Sequence, residues 1–201
     1  MNTEWPFRIS VAVLMVALAL VRFSKIGWAT FGIRRSDEKI AVARSSKTWY
    51  AITLTTGWLW VLVPGVYIVA PGWLLWAALP IPPISRWIGV GLGVISIVWL
   101  GWAHRALGKN WNVPGLIQER QTLVTSGPYQ WVRHPMYTSG AVIALAYSLI
   151  SANWFVALIG LAYWILVFAM VGSEEATLIE KFGDSYREYM KHTGRFLPRL
   201  F

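Results

Sequence analysis

Two short runs hold the residues of this sequence best suited to chemistry. The first reads Gln121-Thr122-Leu123-Val124-Thr125-Ser126-Gly127-Pro128-Tyr129 and resumes as Arg133-His134-Pro135-Met136-Tyr137. Ser-Gly-Pro is a turn former, and proline suits the first position of a helix, where no N–H is required. A helix is therefore predicted to begin at Pro135. Its unpaired N–H groups and positive dipole end, with Arg133 and His134 beside them, would form a site for a carboxylate or a phosphate. Spacing alone equally allows Arg133 and His134 to anchor a helix end to lipid headgroups. The second run is Glu174-Glu175, which follows a long apolar stretch. A carboxylate at bilayer depth costs a few kcal/mol, so such a pair is either solvated at the interface or held for function. Neighbours on a helix point about 100° apart, so the two do not act as a dyad on one atom. His104, His134 and His192 are too dispersed for a metal site, and no metal is expected. The absence of cysteine removes disulfides, Cys-zinc sites and thiol nucleophiles together.

The elements that must position these residues are membrane helices. Of 201 residues, 56% are hydrophobic and only 13% charged, with a mean hydropathy of +0.50. A soluble domain carries about a quarter charged residues. Apolar spans are predicted over about 7–23, 49–70, 87–103, 135–150 and 154–171. Each is near the length that crosses about 30 Å of hydrocarbon, although 135–150 is short. A kink is expected at Pro64-Gly65, a stiff proline-rich connector over 71–85, and a tight turn at Ser151-Ala152-Asn153. After Gly172 the chain reads as one amphipathic helix with Leu178, Phe182, Tyr186 and Tyr189 on a single face, ended by Gly194 and Pro198. The fold class is thus all-α, an integral membrane domain of about five transmembrane helices. Residues 1–104 supply three spans; residues 105–201 supply the polar loop, a helical hairpin and the C-terminal helix. With the N-terminus outside, the segments 22–47, 105–133 and 181–199 lie in the cytoplasm with seven, four and five cations, 16 of the 18 present. Only Arg8 and Arg86 remain outside, which follows the positive-inside rule. The net charge of +9 is accordingly a signal of topology and of anionic membrane lipid, and nucleic acid is not an expected partner.

From Leu107 to the C-terminus the chain resembles the isoprenylcysteine carboxyl methyltransferases and, more distantly, the phospholipid methyltransferases. The matching pieces are Leu107-Gly108-Lys109-Asn110-Trp111, Leu123 to Tyr129, Val132 to Tyr137, Glu174-Glu175 with Phe182-Gly183, and Tyr186 with Tyr189. The resemblance implies a membrane enzyme using S-adenosylmethionine in a cytoplasmic pocket formed by the C-terminal half. Carried over, it assigns the cofactor to Gln121, Thr122, Leu123, Val124, Tyr129, His134, Pro135, Met136, Tyr137 and Glu174. The family usually has histidine where Gln121 stands. His134 and the N–H groups around Pro135 suit the methionine carboxylate, and Glu174 suits an ammonium or the adenine amino group. Arg133 and Glu175 are the residues placed in the chemistry. A base is needed only for a protonated amine or thiol, and Glu175, Tyr129 and His134 are its candidates.

The acceptor implied is lipophilic, a small molecule or a lipid-anchored chain. The prenylcysteine enzymes carry an arginine one helical turn before the glutamate that matches Glu174, and the resemblance gives it the substrate carboxylate. Met170 stands there in this chain, and no charged residue lies in 167–172. That weakens carboxyl methylation in favour of a thiol or an amine headgroup, unless Arg133 or Arg195 takes over. Two other classes compete: a membrane NAD(P)H-dependent sterol-type reductase, with a similar C-terminal layout, and a non-catalytic membrane scaffold.

Overall fold

The computed structural model describes residues 4–35, 40–42, 47–110, 116–118 and 121–199. Six α-helices make up most of it: α1 Trp5–Arg35, α2 Lys47–Val69, α3 Pro83–Leu107, α4 Pro135–Ser151, α5 Trp154–Phe182 and α6 Asp184–His192. Among the described residues one short strand pair forms: β1 Ile40–Val42 lies antiparallel to β2 Leu116–Gln118, with Ala41 opposite Ile117. This small ladder ties the loop after α1 to the loop after α3.

The apolar runs become helices because in hydrocarbon only a helix satisfies every backbone N–H and carbonyl within its own segment. Among the described residues three helices are long and apolar enough to cross a bilayer: α1 through Trp5–Arg22, α3 and α5. The last part of α2 and a 3-10 turn, Pro71–Ala77, pass the same test together but meet at a 110° bend, and count as a fourth span if they form one. At 17 residues α4 is apolar but shorter than a full crossing. Each of the five expected apolar runs is helical, but among the described residues only three are long enough to span alone, or four with the bent pair. The expected kink at Pro64 is not what redirects the chain. α2 runs through Pro64 to Val69, and the sharp turn falls at Ala70 before Pro71, whose ring lacks the N–H needed to extend the helix.

α3 and α4 form the centre of the bundle, with α1 and α5 beside them. Their closeness rests on Gly89, where a Cβ would come within 2.8 Å of the Leu149 Cβ and 3.0 Å of the Ala146 carbonyl oxygen. Ser96 donates to the Ser139 carbonyl at 2.8 Å across the same contact. Phe7, Val11, Leu14, Tyr67, Leu74, Ile143, Tyr147, Ile150 and Val156 fill the core. The hairpin between α4 and α5 turns on Ala152, at φ 49°, and on Asn153. The Asn153 Oδ1 accepts from the N–H of Phe155 and Val156 at 3.0 and 3.2 Å, while its Nδ2 donates to the Leu74 carbonyl at 2.8 Å. One side chain thus caps α5 and fixes the 3-10 turn.

At the end of the bundle where α1 starts, Arg86 is buried. It donates to both Glu4 carboxylate oxygens at 2.7 and 2.8 Å, to the Tyr67 hydroxyl at 2.8 Å and to the Ile150 carbonyl at 2.8 Å. Its guanidinium also lies 3.7 Å from the centre of the Phe7 ring. Arg8 donates to the Ile68 carbonyl. The two cations expected outside are therefore consumed within the protein, where they staple α1, α2, α3 and α4 together.

Candidate active site

The residues singled out for chemistry collect at the opposite end, around the start of α4 and the last turns of α5. Gly127, at φ 62°, opens a 3-10 turn over Gly127–Gln130, and the helix then begins at Pro135 as its proline predicts. α5 does not stop near Gly172 as expected but continues to Phe182, because one helical glycine costs only about 1 kcal/mol. The break comes at Gly183, whose φ of 57° suits glycine, so the predicted single amphipathic helix is the end of α5 plus the separate α6. The extension of α5 carries Glu174 and Glu175 past the start of α4. The turn at Gly183 folds α6 back over them.

Glu175 is the centre of this end. It is 3% exposed, and its Oε1 accepts from Arg133 Nε at 2.8 Å and lies 3.3 Å from His134 Nε2. Its Oε2 accepts from Arg195 Nη2. Arg133 Nη1 also donates to the carbonyls of Met190, at 3.3 Å, and Thr193. The segment after α6 runs parallel to the segment before α4. Gly194 N–H donates to the Trp131 carbonyl at 3.1 Å, Arg133 N–H to Gly194 at 2.8 Å and His134 N–H to Arg195 at 3.1 Å. Thr138 Oγ1 donates to the Phe196 carbonyl at 2.7 Å, and the Phe196 ring packs against His134, Trp164 and Phe168 at 6.0, 5.8 and 5.1 Å. The carboxylate held by Arg133 and His134 is thus one of the chain's own. It clasps the C-terminal segment over the start of α4.

Glu174 points elsewhere. Tyr137, one turn into α4, donates its hydroxyl to Glu174 Oε2 at 2.8 Å, and the Tyr137 ring stacks on His134 at 5.5 Å. The Gln121 to Val124 segment is placed by Asn110, just beyond α3. The buried Asn110 Oδ1 accepts from the Thr122 N–H at 2.8 Å and the Thr122 hydroxyl at 3.1 Å. The Asn110 carbonyl accepts from Gln121 Nε2 at 3.2 Å. Tyr129 is buried in the 3-10 turn, and its carbonyl accepts the Tyr189 hydroxyl from α6. Burial raises the ionisation of Tyr129 and Tyr186 well above the usual phenol range and that of Tyr189 to about 12. All three stay protonated donors near neutrality, which disfavours Tyr129 as a base.

Gln121, Thr122, Leu123, Val124, Tyr129, His134, Pro135, Met136, Tyr137 and Glu174 therefore lie on elements that meet at one end of the bundle. Sequence reasoning missed three contributors. Asn110 and Tyr186 belonged to matching pieces but had no assigned role at the site, Tyr186 being otherwise an apolar-face residue, and Arg195 was considered only for a substrate carboxylate. Among the described residues no three His, Asp or Glu side chains gather in a way that could hold a metal ion. The hydroxyls of Tyr129 and Tyr186 are buried with no hydrogen-bond partner in the protein.

Known proteins share this layout. The phospholipid methyltransferase family matches residues 84–185, just over half of the chain. The cobalt-zinc-cadmium resistance protein CzcN of Cupriavidus metallidurans is 30% identical over 122 residues, 58% of this chain and 55% of that protein. A protein-S-isoprenylcysteine O-methyltransferase of Schizosaccharomyces pombe is 36% identical over 79 residues, 39% of this chain and 34% of that one. The methanethiol S-methyltransferase of Pseudomonas deceptionensis is 25% identical over 99% of this chain and 76% of its own. The chain thus spans about half or less of the first two relatives and three quarters of the third. The solved structure of a eukaryotic intramembrane Ras methyltransferase, isoprenylcysteine carboxyl methyltransferase, superposes with a TM-score of 0.54 at 21% identity, over 94% of this chain and 62% of that one. It shares the fold. With α3, the turn at Gly127, α4, α5 and the start of α6 all inside the matched stretch, this membrane-embedded helical chain belongs to the phospholipid methyltransferase family.

Proposed function

We propose that the protein is a membrane methyltransferase that takes its methyl group from S-adenosylmethionine and passes it to a lipophilic acceptor. The observation that carries this reading is the gathering of Tyr129, His134, Tyr137 and Glu174 at one end of the bundle, within the stretch that matches the family. The cofactor would supply a methyl on a sulfonium. An acceptor lone pair forms the new bond to that carbon as the carbon–sulfur bond breaks, so the protein's tasks are alignment and exclusion of water. Gln121 to Val124, held by Asn110, would border the cofactor on one side, and Tyr129, His134 to Tyr137 and Glu174 on the other. Arg133 and Glu175 act as positioning residues: their charges are spent on each other and on Arg195, and they fix the start of α4 beneath the C-terminal segment. With Glu175 bound in this way, a base for a protonated acceptor falls to His134.

Met170, four residues before Glu174 on α5, sets the acceptor class. The position offers no cation, and both arginines that might replace one are engaged by Glu175. A thiol or an amine on a lipophilic body is favoured over a carboxylate. The test is transfer of labelled methyl from S-adenosylmethionine in proteoliposomes to an aliphatic thiol, phosphatidylethanolamine or a farnesylcysteine. Transfer to the thiol or amine supports the reading; efficient transfer to the farnesylcysteine carboxylate overturns its acceptor part.

We infer the N-terminus outside and the site in the cytoplasm from the cation distribution, with Arg8 and Arg86 held inside the protein. The chain has no cysteine, so single cysteines at Trp73 and Ser185 report directly. An impermeant maleimide added to intact cells should label Trp73→Cys and spare Ser185→Cys; the reverse pattern inverts the topology.

A further inference from the structure

The contacts among α1, α3 and α4 fix which residues share a level in the bundle. α1 and α3 run in the same sense: the Arg86 guanidinium lies over the Phe7 ring, and seven residues further along both helices a Cβ at Gly93 would meet the Leu14 side chain. α3 and α4 run in opposite senses, with Gly89 against Ala146 and Ser96 bonded to the Ser139 carbonyl. Each helix advances about 1.5 Å per residue, so the same steps bring Arg22 on α1 level with Gly101 and with His134 at the start of α4. Arg22 also lies on the inner side of α1. Leu14 and Leu18 pack on the core while Val16 and Leu20 are exposed, and Arg22 follows one turn after Leu18 and about half a turn from Leu20. Its charge is felt by the hydroxyls of Tyr137 on α4 and Tyr163 on α5.

Arg22 is exposed, and among the described residues no carboxylate or carbonyl holds its guanidinium. Arg133 and Arg195, by contrast, are spent on Glu175. An arginine that only anchors α1 to lipid headgroups belongs on the outer stripe with Val16 and Leu20. Arg22 stands on the other side, at the level of the site. A guanidinium is a planar fork of donors matched to a phosphate or a carboxylate. We propose that Arg22 binds an anionic group, a phosphate or a carboxylate, that the lipophilic acceptor carries close to the atom to be methylated. The anion is the handle, and the thiol or amine beside it takes the methyl. This rests on the methyltransferase reading and gives α1 a part in choosing the acceptor. The family match covers residues 84–185, so Arg22 lies outside the shared stretch.

The test is methyl transfer in proteoliposomes to two matched pairs of acceptors. N-palmitoylcysteine and N-palmitoylcysteamine share a thiol and differ by a carboxylate; phosphatidylethanolamine and a diacylaminopropane share an amine and differ by a phosphate. Wild type is compared with Arg22→Gln, Arg22→Lys and Arg105→Gln, the last removing an exposed cation from the final turn of α3. In whichever pair is methylated, wild type should show the lower KM for the anionic member. Arg22→Gln should raise that KM roughly 10-fold or more, as expected for hydrogen bonds to a charged group, with kcat within about twofold. The neutral member, the melting temperature and the affinity for S-adenosylhomocysteine should not change, and Arg22→Lys should recover part of the loss. Equal effects on both members, no effect, the same loss in Arg105→Gln, or a wild type that prefers the neutral member overturns the assignment. Wild type that binds S-adenosylhomocysteine yet methylates none of the four acceptors overturns it as well. Wild type that neither binds S-adenosylhomocysteine nor transfers methyl would instead bring down the methyltransferase reading itself.

Discussion

Removing the Glu175 carboxylate should destabilise the protein more than any other single change at this end of the bundle. The side chain is 3% exposed and serves Arg133 Nε at 2.8 Å, His134 at 3.3 Å and Arg195. The Arg133 side chain is itself only 9% exposed, so Glu175→Ala leaves a buried guanidinium without its counter-charge. Breaking a buried pair from one side costs about 3–5 kcal/mol. For a chain of this size each kcal/mol moves the melting temperature by roughly 2–4 °C, so a fall on the order of 10 °C is expected. Glu175→Gln, which keeps the shape and loses the charge, should fall by a smaller but clear amount. Arg195→Ala serves as the control: its side chain is 39% exposed, and the loss should stay below about 1 kcal/mol. Melts in detergent measure the effect. Limited trypsin digestion measures the cause, because freeing the segment after α6 should expose Arg195 and Arg199 to cleavage earlier than in wild type. If Glu175→Ala melts within about 2 °C of wild type and its tail resists trypsin equally, the clasp does not hold the C-terminal segment and the reasoning fails.

Asn110→Ala should release the Gln121 to Val124 segment by removing two hydrogen bonds to Thr122, weakening S-adenosylhomocysteine binding by about 10-fold with little change in melting temperature; equal affinity in the variant would detach that segment from the site. Gly89→Ala should lower stability by about 1–3 kcal/mol, because its Cβ would press on Leu149 Cβ and the Ala146 carbonyl, and a melt unchanged from wild type would show that α3 and α4 can part without penalty. The Tyr189 hydroxyl ionises at about 12 in the fold against about 10 in the unfolded chain, so folding favours its protonated form. That contribution should be complete below pH 10 and lost as pH rises towards 12, seen as a decline in melting temperature over this window that Tyr189→Phe flattens.

The helices were legible in the sequence because a long apolar run near a bilayer can satisfy its backbone only as a helix, and the chain carries five such runs, three of them long enough to span alone. The start of α4 was legible for a local reason, since Pro135 after a Ser-Gly-Pro turn leaves little choice. The end of α5 was not. Gly172 and Gly183 look alike as letters, yet the first continues the helix and the second ends it at φ 57°, a difference settled by how α6 packs back on Arg133. For the site, the sequence supplied the participants without their pairing. Glu174 and Glu175 are adjacent, and only the direction of α5 sends one to Tyr137 and the other to Arg133, His134 and Arg195. That pairing gives Arg133 and His134 an internal anion, although their position beside a helix start read as a site for an external one. Asn110 and Tyr186 were hidden because their contacts span a loop and a helix turn, distances at which spacing carries no signal.

The measurement closest to the central claim is titration of S-adenosylhomocysteine into wild-type protein and into Glu174→Ala, both shown folded by their melts. The account predicts saturable binding to wild type at micromolar concentrations and a loss of about 10-fold or more in the variant, whose neighbouring clasp at Glu175 remains intact. Folded wild type that binds no S-adenosylhomocysteine, or a Glu174→Ala variant that binds it as tightly, would contradict the placement of a methyl-donor site between α4, α5 and α6.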